Sequence, residues 1–363
     1  MREEEAVTQP EADRATAPAP RLAQFCTDVL LAAGTDRPTA EAASRAMMHG
    51  SVHGVDSHGV RLLDHYVRAF AGGRLNKVPA LRFERIRPGS GLLDADNAHG
   101  ARATYAAVDH ACDMAREAGI AGVGIRNSSH FGPAGAYSLA AAERGMLAMS
   151  FCNSDSFVRL QDGAARFHGT NPISVAVPTG EANPWLLDMA TSAVPFNRVM
   201  LYRSLDQELP EGVASDEGGR DTRDPHAAEM LAPLGGGFGF KGAGLAGVAE
   251  IFSAVLTGMR LSPEILPMGG PDLKTPRELG AFVLVLDPDA FIGAEAVRAG
   301  MQRYLGLLRG SPAQPGARVM APGDREWAEA ARRRAEGIPL DPDTVDNFRA
   351  LAGQFGLDLP FEG

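Results

Sequence analysis

Cysteine is scarce: of 363 residues, only Cys26, Cys112 and Cys152 carry a thiol. The number is odd and the three lie far apart. Neither a disulfide framework nor a zinc-ligand spacing can be assembled from them, and a reducing, cytoplasmic compartment is the simpler expectation. Lysine is equally scarce, with only Lys77, Lys241 and Lys274 in a chain whose other cations are arginine. Positive charge as a whole falls short, since 35 Lys and Arg against 45 Asp and Glu leave a formal charge of −10. That balance argues against non-specific attachment to nucleic acid or to an anionic membrane, and it confines an anionic ligand to sites where local cations or dipoles overcome the field. Long apolar runs are missing too. Residues 1–20 are charged and rich in Ala and Pro, without the apolar stretch of a secretory signal. No segment has the length and purity of a membrane span. The most apolar stretch, 245–256, is short and contains Glu250, and it predicts a buried helix. What remains, 45% apolar and 22% charged, describes a soluble globular chain with room for two or three domains.

Along the chain, residues 1–20 read as a disordered arm. Residues 21–80 read as helical: Leu22, Phe25, Val29 and Leu30 recur at helical spacing before Gly34, Thr39 can cap a second helix, and 55–73 predict a third. From Leu81 the pattern changes to short strand-like runs: two around Pro88–Ser90, then a helix ended by Gly119, then the apolar strands 119–127, 146–153, 173–178 and 185–190. Residues 326–336 and 342–356 predict C-terminal helices. The fold class expected is α+β, with 21–80 completed by 310–363 as a helical domain around a central α+β region, 81–309.

Four clusters have chemical potential. In Asp56-Ser57-His58-Gly59, His58 suits proton transfer near neutral pH, with Ser57 to orient it; a plain helix cap is the competing reading. Asn127-Ser128-Ser129-His130-Phe131-Gly132 lies where a strand meets a Gly-containing helix start, whose free N–H groups bind anions. Thr170 precedes a strand pair ending in Leu187-Asp188-Met189-Ala190, where Asp188 is placed either as a catalytic carboxylate or as a cap. Residues 235–244 contain a literal G-x-G-x-x-G, but no buried strand precedes it and no βαβ unit surrounds it. A dinucleotide fingerprint of the Rossmann type is therefore rejected, leaving a Gly-rich loop that presents Lys241. His49 and His53 share a helix face, but no third ligand lies at motif distance, and no metal is expected.

Taken together and in order, VDSHGV, AGGRLN, NSSHFGPAG, GTNPISVAVP, LLDMATS, FKGAGLAG, GAFVLVLDP and VMAPGD resemble the type-2 malate/L-lactate dehydrogenase family, which also includes ureidoglycolate, sulfolactate and diketogulonate dehydrogenases and a piperideine/pyrroline-2-carboxylate reductase. The resemblance runs from about Gly54 to Pro339. It implies a non-Rossmann fold, dependence on NAD or NADP, a small-molecule substrate and a homodimer. It also implies that His58 exchanges the proton, with Ser57 and Asp188 in its relay, and that His130 is either base or cofactor contact. Phe131, Gly132, Ser154, Asp188, Met189, Ala190, Lys241, Gly242, Pro322 and Gly323 would line the cofactor, and Thr170 would face the substrate.

One departure bears on the substrate. Where the family carries an Arg that grips a carboxylate, this chain has Leu62, with Arg61 one residue earlier. On a continuous helix both would neighbour His58, so a displaced Arg61 could serve. Otherwise the substrate is a ketone or imine rather than a simple 2-oxo acid. Hydride transfer on a small ketone or imine is the first expectation. A conventional L-malate or L-lactate type dehydrogenase is the alternative, and a non-catalytic binding relative the third.

Overall fold

The computed structural model describes residues 15–362, and the expected N-terminal arm falls largely outside them. Its last part is corrected. Thr16–Ala17 is a short strand paired antiparallel with Ile338–Pro339, and Pro18 leads directly into the helix Ala19–Ala32. Leu340 N–H donates to Ala15 C=O at 2.8 Å, which extends the same tie between the two ends of the chain.

The helices Ala19–Ala32, Arg37–Val52 and Leu63–Gly72 bury one apolar stripe each: Leu22, Phe25, Val29 and Leu30 on the first, Ala40, Ala43 and Met47 on the second, Tyr66, Val67 and Phe70 on the third. They share a core with Ala330, Ile338, Val345, Phe348 and Leu351 from the C-terminal helices Asp324–Glu336 and Pro342–Phe355. Asp36 caps the second helix by accepting from Thr39 N–H at 2.9 Å, so the cap lies three residues before the Thr39 expected from sequence.

The central region is a seven-stranded sheet in the order Arg82–Arg87, Ser90–Asp94, Ile120–Ser128, Leu279–Leu286, Leu147–Cys152, Ile173–Val177, Trp185–Met189. Only Ser90–Asp94 and Ile120–Ser128 run parallel, joined through the helix Gly100–Ala118. A doubly wound parallel sheet is excluded by this topology. Alternation along the central strands separates two faces: Ala281, Val283 and Val285 pack under the helices Gly100–Ala118 and Gly135–Ala142, while Phe282 and Leu284 meet Phe252 and Ala249 on the other side. A smaller sheet of Ala214–Ser215, Met230–Leu231, Val158–Arg159 and Arg166–His168 has its own apolar cluster around Val199, Tyr202 and Leu209.

Two helix expectations are corrected. Residues 55–73 are not one helix: Asp56–His58 and Val60–Leu62 are separate 3₁₀ turns, broken at Gly59, before Leu63–Gly72 begins. The break is a packing event, since a Cβ on Gly59 would lie 2.2 Å from Ser51 Oγ, which itself accepts from Val60 N–H at 2.9 Å. The second is the stretch 245–256, expected to be buried. It runs as Phe240–Glu250 and then a π-helical turn, Ile251–Val255, and it exposes Leu245, Ile251, Val255 and Leu256, the last three by more than half. Only its other face, with Ala246, Ala249 and Glu250, is buried, so composition overstated the burial of the helix as a whole.

Candidate active site

The break at Gly59 turns His58 away from the helix and toward the loop after the strand Ile120–Ser128. The two imidazoles His58 and His130 stack with centroids 5.7 Å apart. Each has its Nδ1 occupied: Ser57 Oγ lies 2.9 Å from that of His58, and Tyr66 Oη lies 2.8 Å from that of His130. Both Nε2 atoms are without a hydrogen-bond partner among the described residues and are the positions left to exchange a proton. Burial lowers the pKa of His58, and burial together with the charges around it, Arg277 included, lowers that of His130 well below the usual value. Both rings are therefore neutral at pH 7.

The loop from His130 to Gly135 is held open by its neighbours. Tyr137 Oη donates to Phe131 C=O, and Ser150 Oγ donates to Ala134 C=O at 2.8 Å. Gly132 adopts φ +78°, and a Cβ there would find nothing nearer than His58 O and Tyr66 Oη at 4.0 Å. Gly132 is buried, but its Cα keeps a small clearance on the side of His58 and Tyr66, where the absent side chain leaves room at the main chain.

The helix expected to start at this loop begins at Gly135, and an anion does sit at its N-terminus, but it is the chain's own: Asp188 Oδ2 accepts from Gly135 N–H at 2.8 Å. Burial raises the Asp188 pKa to about 6, opposed by that hydrogen bond. Asp188 stands on the edge strand Trp185–Met189 and meets the loop at Gly135, three residues after Gly132, which faces the His58 main-chain carbonyl; among the described residues no hydrogen bond joins the carboxylate to the His58 ring.

The remaining expected residues fall into three groups. Ser154 and Thr170 form one node: Ser154 Oγ accepts from Thr170 N–H at 3.2 Å. Beneath it, Asn171 Nδ2 donates to Glu250 at 2.7 Å, and the buried Glu250 also accepts from Asn153 and from Ser262 N–H and Oγ. Pro322 and Gly323 form a turn against the same edge strand as Asp188, with Leu186 N–H donating to Pro322 C=O at 3.4 Å; Met189 ends that strand and Ala190 follows it. Lys241 and Gly242 stand apart. Lys241 is exposed and lies 5.3 Å over the Phe238 ring, and a Cβ on Gly242 would strike Leu234 O at 2.2 Å, so Gly242 is there for backbone packing.

Arg61 is a correction. Its guanidinium pairs with Asp343 at 3.2 Å and Asp341 at 3.7 Å at the start of the last helix, and Leu62 packs against the helical core. The helical geometry that would have brought either side chain beside His58 is absent because Gly59 breaks the turn. Three residues that sequence reasoning missed stand at the site instead. Tyr66 holds His130, Gly135 holds Asp188, and Arg277, only 2% exposed, sends Nε to Leu266 C=O at 2.8 Å and Nη2 to Asp155 while its Nη1 has no partner among the described residues. No local pattern marks Arg277, which reaches the site from 147 positions beyond His130. The pair His49 and His53 stacks at 4.3 Å, and among the described residues no group of three metal-binding side chains exists.

Two neutral imidazoles with free Nε2 atoms and a buried carboxylate lie around one loop on a mostly antiparallel sheet, an arrangement suited to proton transfer on a fold outside the Rossmann class. Comparison with known proteins gives the family. The chain belongs to the malate/L-lactate dehydrogenase family, whose model matches residues 17–349, and it is an oxidoreductase. It is 33% identical over 353 residues to a malate dehydrogenase of Pyrococcus abyssi, covering 94% of this chain and 95% of that one. It is likewise 33% identical over 327 residues to a (2R)-3-sulfolactate dehydrogenase (NADP(+)) of Chromohalobacter salexigens, covering 89% and 94%. Among solved structures, the malate dehydrogenase of Entamoeba histolytica superposes with a TM-score of 0.90 at 26% identity, over 96% of this chain and 100% of that one.

Proposed function

We propose that this chain moves a hydride between NAD or NADP and a small ketone or imine, or the corresponding alcohol or amine, with His58 exchanging the proton at Nε2. The observation that carries the reading is the stacked imidazole pair whose Nδ1 atoms are held by Ser57 and Tyr66 beside the side-chain-free Gly132. The nicotinamide, when bound, supplies or accepts the hydride. Ser57 fixes the ring of His58, and Tyr66 does the same for His130, the second base. Phe131, Gly132, Ser154, Asp188, Met189, Ala190, Pro322 and Gly323 are the cofactor's contacts in this reading, and Thr170 faces the substrate. Steady-state assays with NADH and NADPH against 2-oxo acids, neutral ketones and cyclic imines test it; no reduction of any class with either cofactor sinks it.

A second reading, a conventional 2-hydroxy-acid dehydrogenase, is favoured by Arg277. A buried guanidinium with one unpartnered nitrogen, close enough to depress the His130 pKa, supplies the carboxylate grip that Arg61 does not. Arg277→Leu is then expected to raise KM for a 2-oxo acid by about 100-fold while leaving a neutral ketone within about threefold, with Arg277→Lys intermediate. Equal losses on both substrates would return Arg277 to tying together the two loops that carry Leu266 and Asp155.

We also propose that the chain forms a homodimer through the exposed face of residues 238–256. Phe238, Phe240, Leu245, Ile251, Val255 and Leu256 stand on one contiguous segment, too much apolar surface for a solvated helix. Lys241 lies within it, so in this arrangement Lys241 meets the cofactor from the interface, while Gly242 is packed against Leu234 beneath it. Sedimentation should give twice the 38.2 kDa chain mass for the native protein and one chain mass for Ile251→Glu/Val255→Glu. An unchanged mass in the variant refutes the interface.

A further inference from the structure

Away from the imidazole pair, a cavity of about 210 Å³ lies between the helices Arg37–Val52, Gly135–Ala142 and Asp324–Glu336. Its floor is apolar, with Met48, Val52 and Leu139, but its walls carry Arg45, His49, His53, Trp327 and Arg334. Glu143 is the one carboxylate among its lining residues, and it pairs only loosely with Arg45, at 3.6 Å between half-exposed side chains. Arg45 also lies over the Tyr105 ring at 4.3 Å, and Arg334 has no carboxylate partner among the described residues. In a chain with a charge of −10, a hollow with this sign of charge attracts anions.

His53 narrows the chemistry. It is 6% exposed and stands edge-on to Trp327, with ring centroids 4.8 Å apart. Its Nδ1 lies 2.8 Å from His49 C=O, and because a carbonyl only accepts, the proton of the neutral ring is on Nδ1. Nε2 is then a lone pair with no donor among the described residues. Such a group is satisfied by a ligand that brings a hydroxyl hydrogen.

We propose that this cavity is a second ligand site, for a small hydroxy-acid anion whose carboxylate pairs with Arg45 and Arg334 and whose hydroxyl donates to His53 Nε2. The binding itself is independent of the reading proposed above. Its consequence for turnover rests on that reading, through a shared wall: His49 Nε2 and Asp188 Oδ2 lie 3.1 and 2.7 Å from where a Cβ on Gly135 would stand. An occupant against His49 is thus one side chain from Asp188, and its presence changes kcat without competing with the substrate.

The chain's two tryptophans are Trp185 and Trp327, so Trp185→Phe leaves the cavity's own ring as the sole reporter. L-malate, titrated without cofactor into this single-tryptophan protein, is expected to quench Trp327 saturably. Succinate, which lacks the hydroxyl, should bind more weakly, and Arg45→Ala/Arg334→Ala should weaken malate by at least about tenfold with an unchanged melting temperature. Saturating NADH should leave the titration as it is. Equal malate affinity in the double variant, or displacement of malate by NADH, would overturn the site, the latter by assigning the cavity to the cofactor. If malate binds as expected but leaves kcat for a neutral ketone unchanged, the site stands and the coupling through Asp188 is refuted.

Discussion

Replacing His58 by alanine is expected to lower kcat by about 1,000-fold, within the range that general acid–base catalysis supplies, and to leave NADH affinity within about twofold. The split follows from position. The free nitrogen of the His58 ring is Nε2, while the backbone at Gly132 belongs to a different segment and keeps its φ of +78° whatever stands at position 58. The pH profile gives a second readout. Burial lowers the His58 pKa, so the neutral ring that takes a proton during alcohol oxidation is fully populated at pH 7 and remains so below the ordinary histidine value. Oxidation should therefore hold its plateau to lower pH than an unperturbed histidine allows. Reduction, which draws on the imidazolium, should accelerate as pH falls. His58→Gln retains the ring's approximate volume and should lose both profiles. Unimpaired turnover in His58→Ala would transfer the proton to His130, and the same experiment on His130→Ala would then show the loss.

Much of the fold was legible because local patterning and tertiary structure agree. Leu22, Phe25, Val29 and Leu30 mark a helix face and are all buried on it, and the hairpin turn at Pro88–Ser90 and the stop at Gly119 fall where turn chemistry puts them. Tertiary contacts override the local signal elsewhere. Residues 55–73 have helical periodicity, yet Ser51 presses on Gly59 and breaks the run into two 3₁₀ turns. The apolar stretch ending at Leu256 reads as buried because composition does not tell a core face from an exposed apolar one.

The site was legible as motifs and illegible as partnerships. Ser57 beside His58 is a contact between neighbours, which sequence can suggest. Tyr66 on His130 spans 64 positions and Gly135 on Asp188 spans 53, and neither has a local signature. The Gly-containing helix start suggests free N–H groups for an anionic ligand, but a one-dimensional reading has no means of knowing that Asp188 takes the one at Gly135. Arg61 illustrates the converse. Its nearness in sequence to the missing family position suggested a substitute, while Asp341 and Asp343, some 280 residues later, had already engaged it.

Acid should unfold this protein steeply below pH 6.5. Seven of its nine histidines have lowered pKa values, with burial the leading cause each time: His49, His53, His58, His65, His99, His130 and His168. In the unfolded chain these groups titrate near the ordinary value, about 6.5, whereas in the fold His65 waits until about 4 and His99 until about 3. Between those limits the unfolded state binds more protons, so stability that is complete above pH 6.5 is lost as pH falls. His99, 1% exposed, alone costs about 2 kcal/mol at pH 5 on this basis, and each further buried imidazole adds in the same direction. Asp188 opposes the trend, because its pKa of about 6 lets the fold hold a proton that the unfolded chain releases, but it is one group against seven. Urea midpoints measured from pH 7.5 to 5 should stay level above 7 and then fall with a slope greater than one proton's worth, about 1.4 kcal/mol per pH unit. His99→Asn, which can keep the cap on Ala101 N–H that His99 Nδ1 provides at 3.1 Å, should reduce that slope by up to one proton. Midpoints that stay level down to pH 5 would mean that these rings are solvated and charged in the folded protein, and the neutral imidazole pair on which proton exchange depends would fall with them.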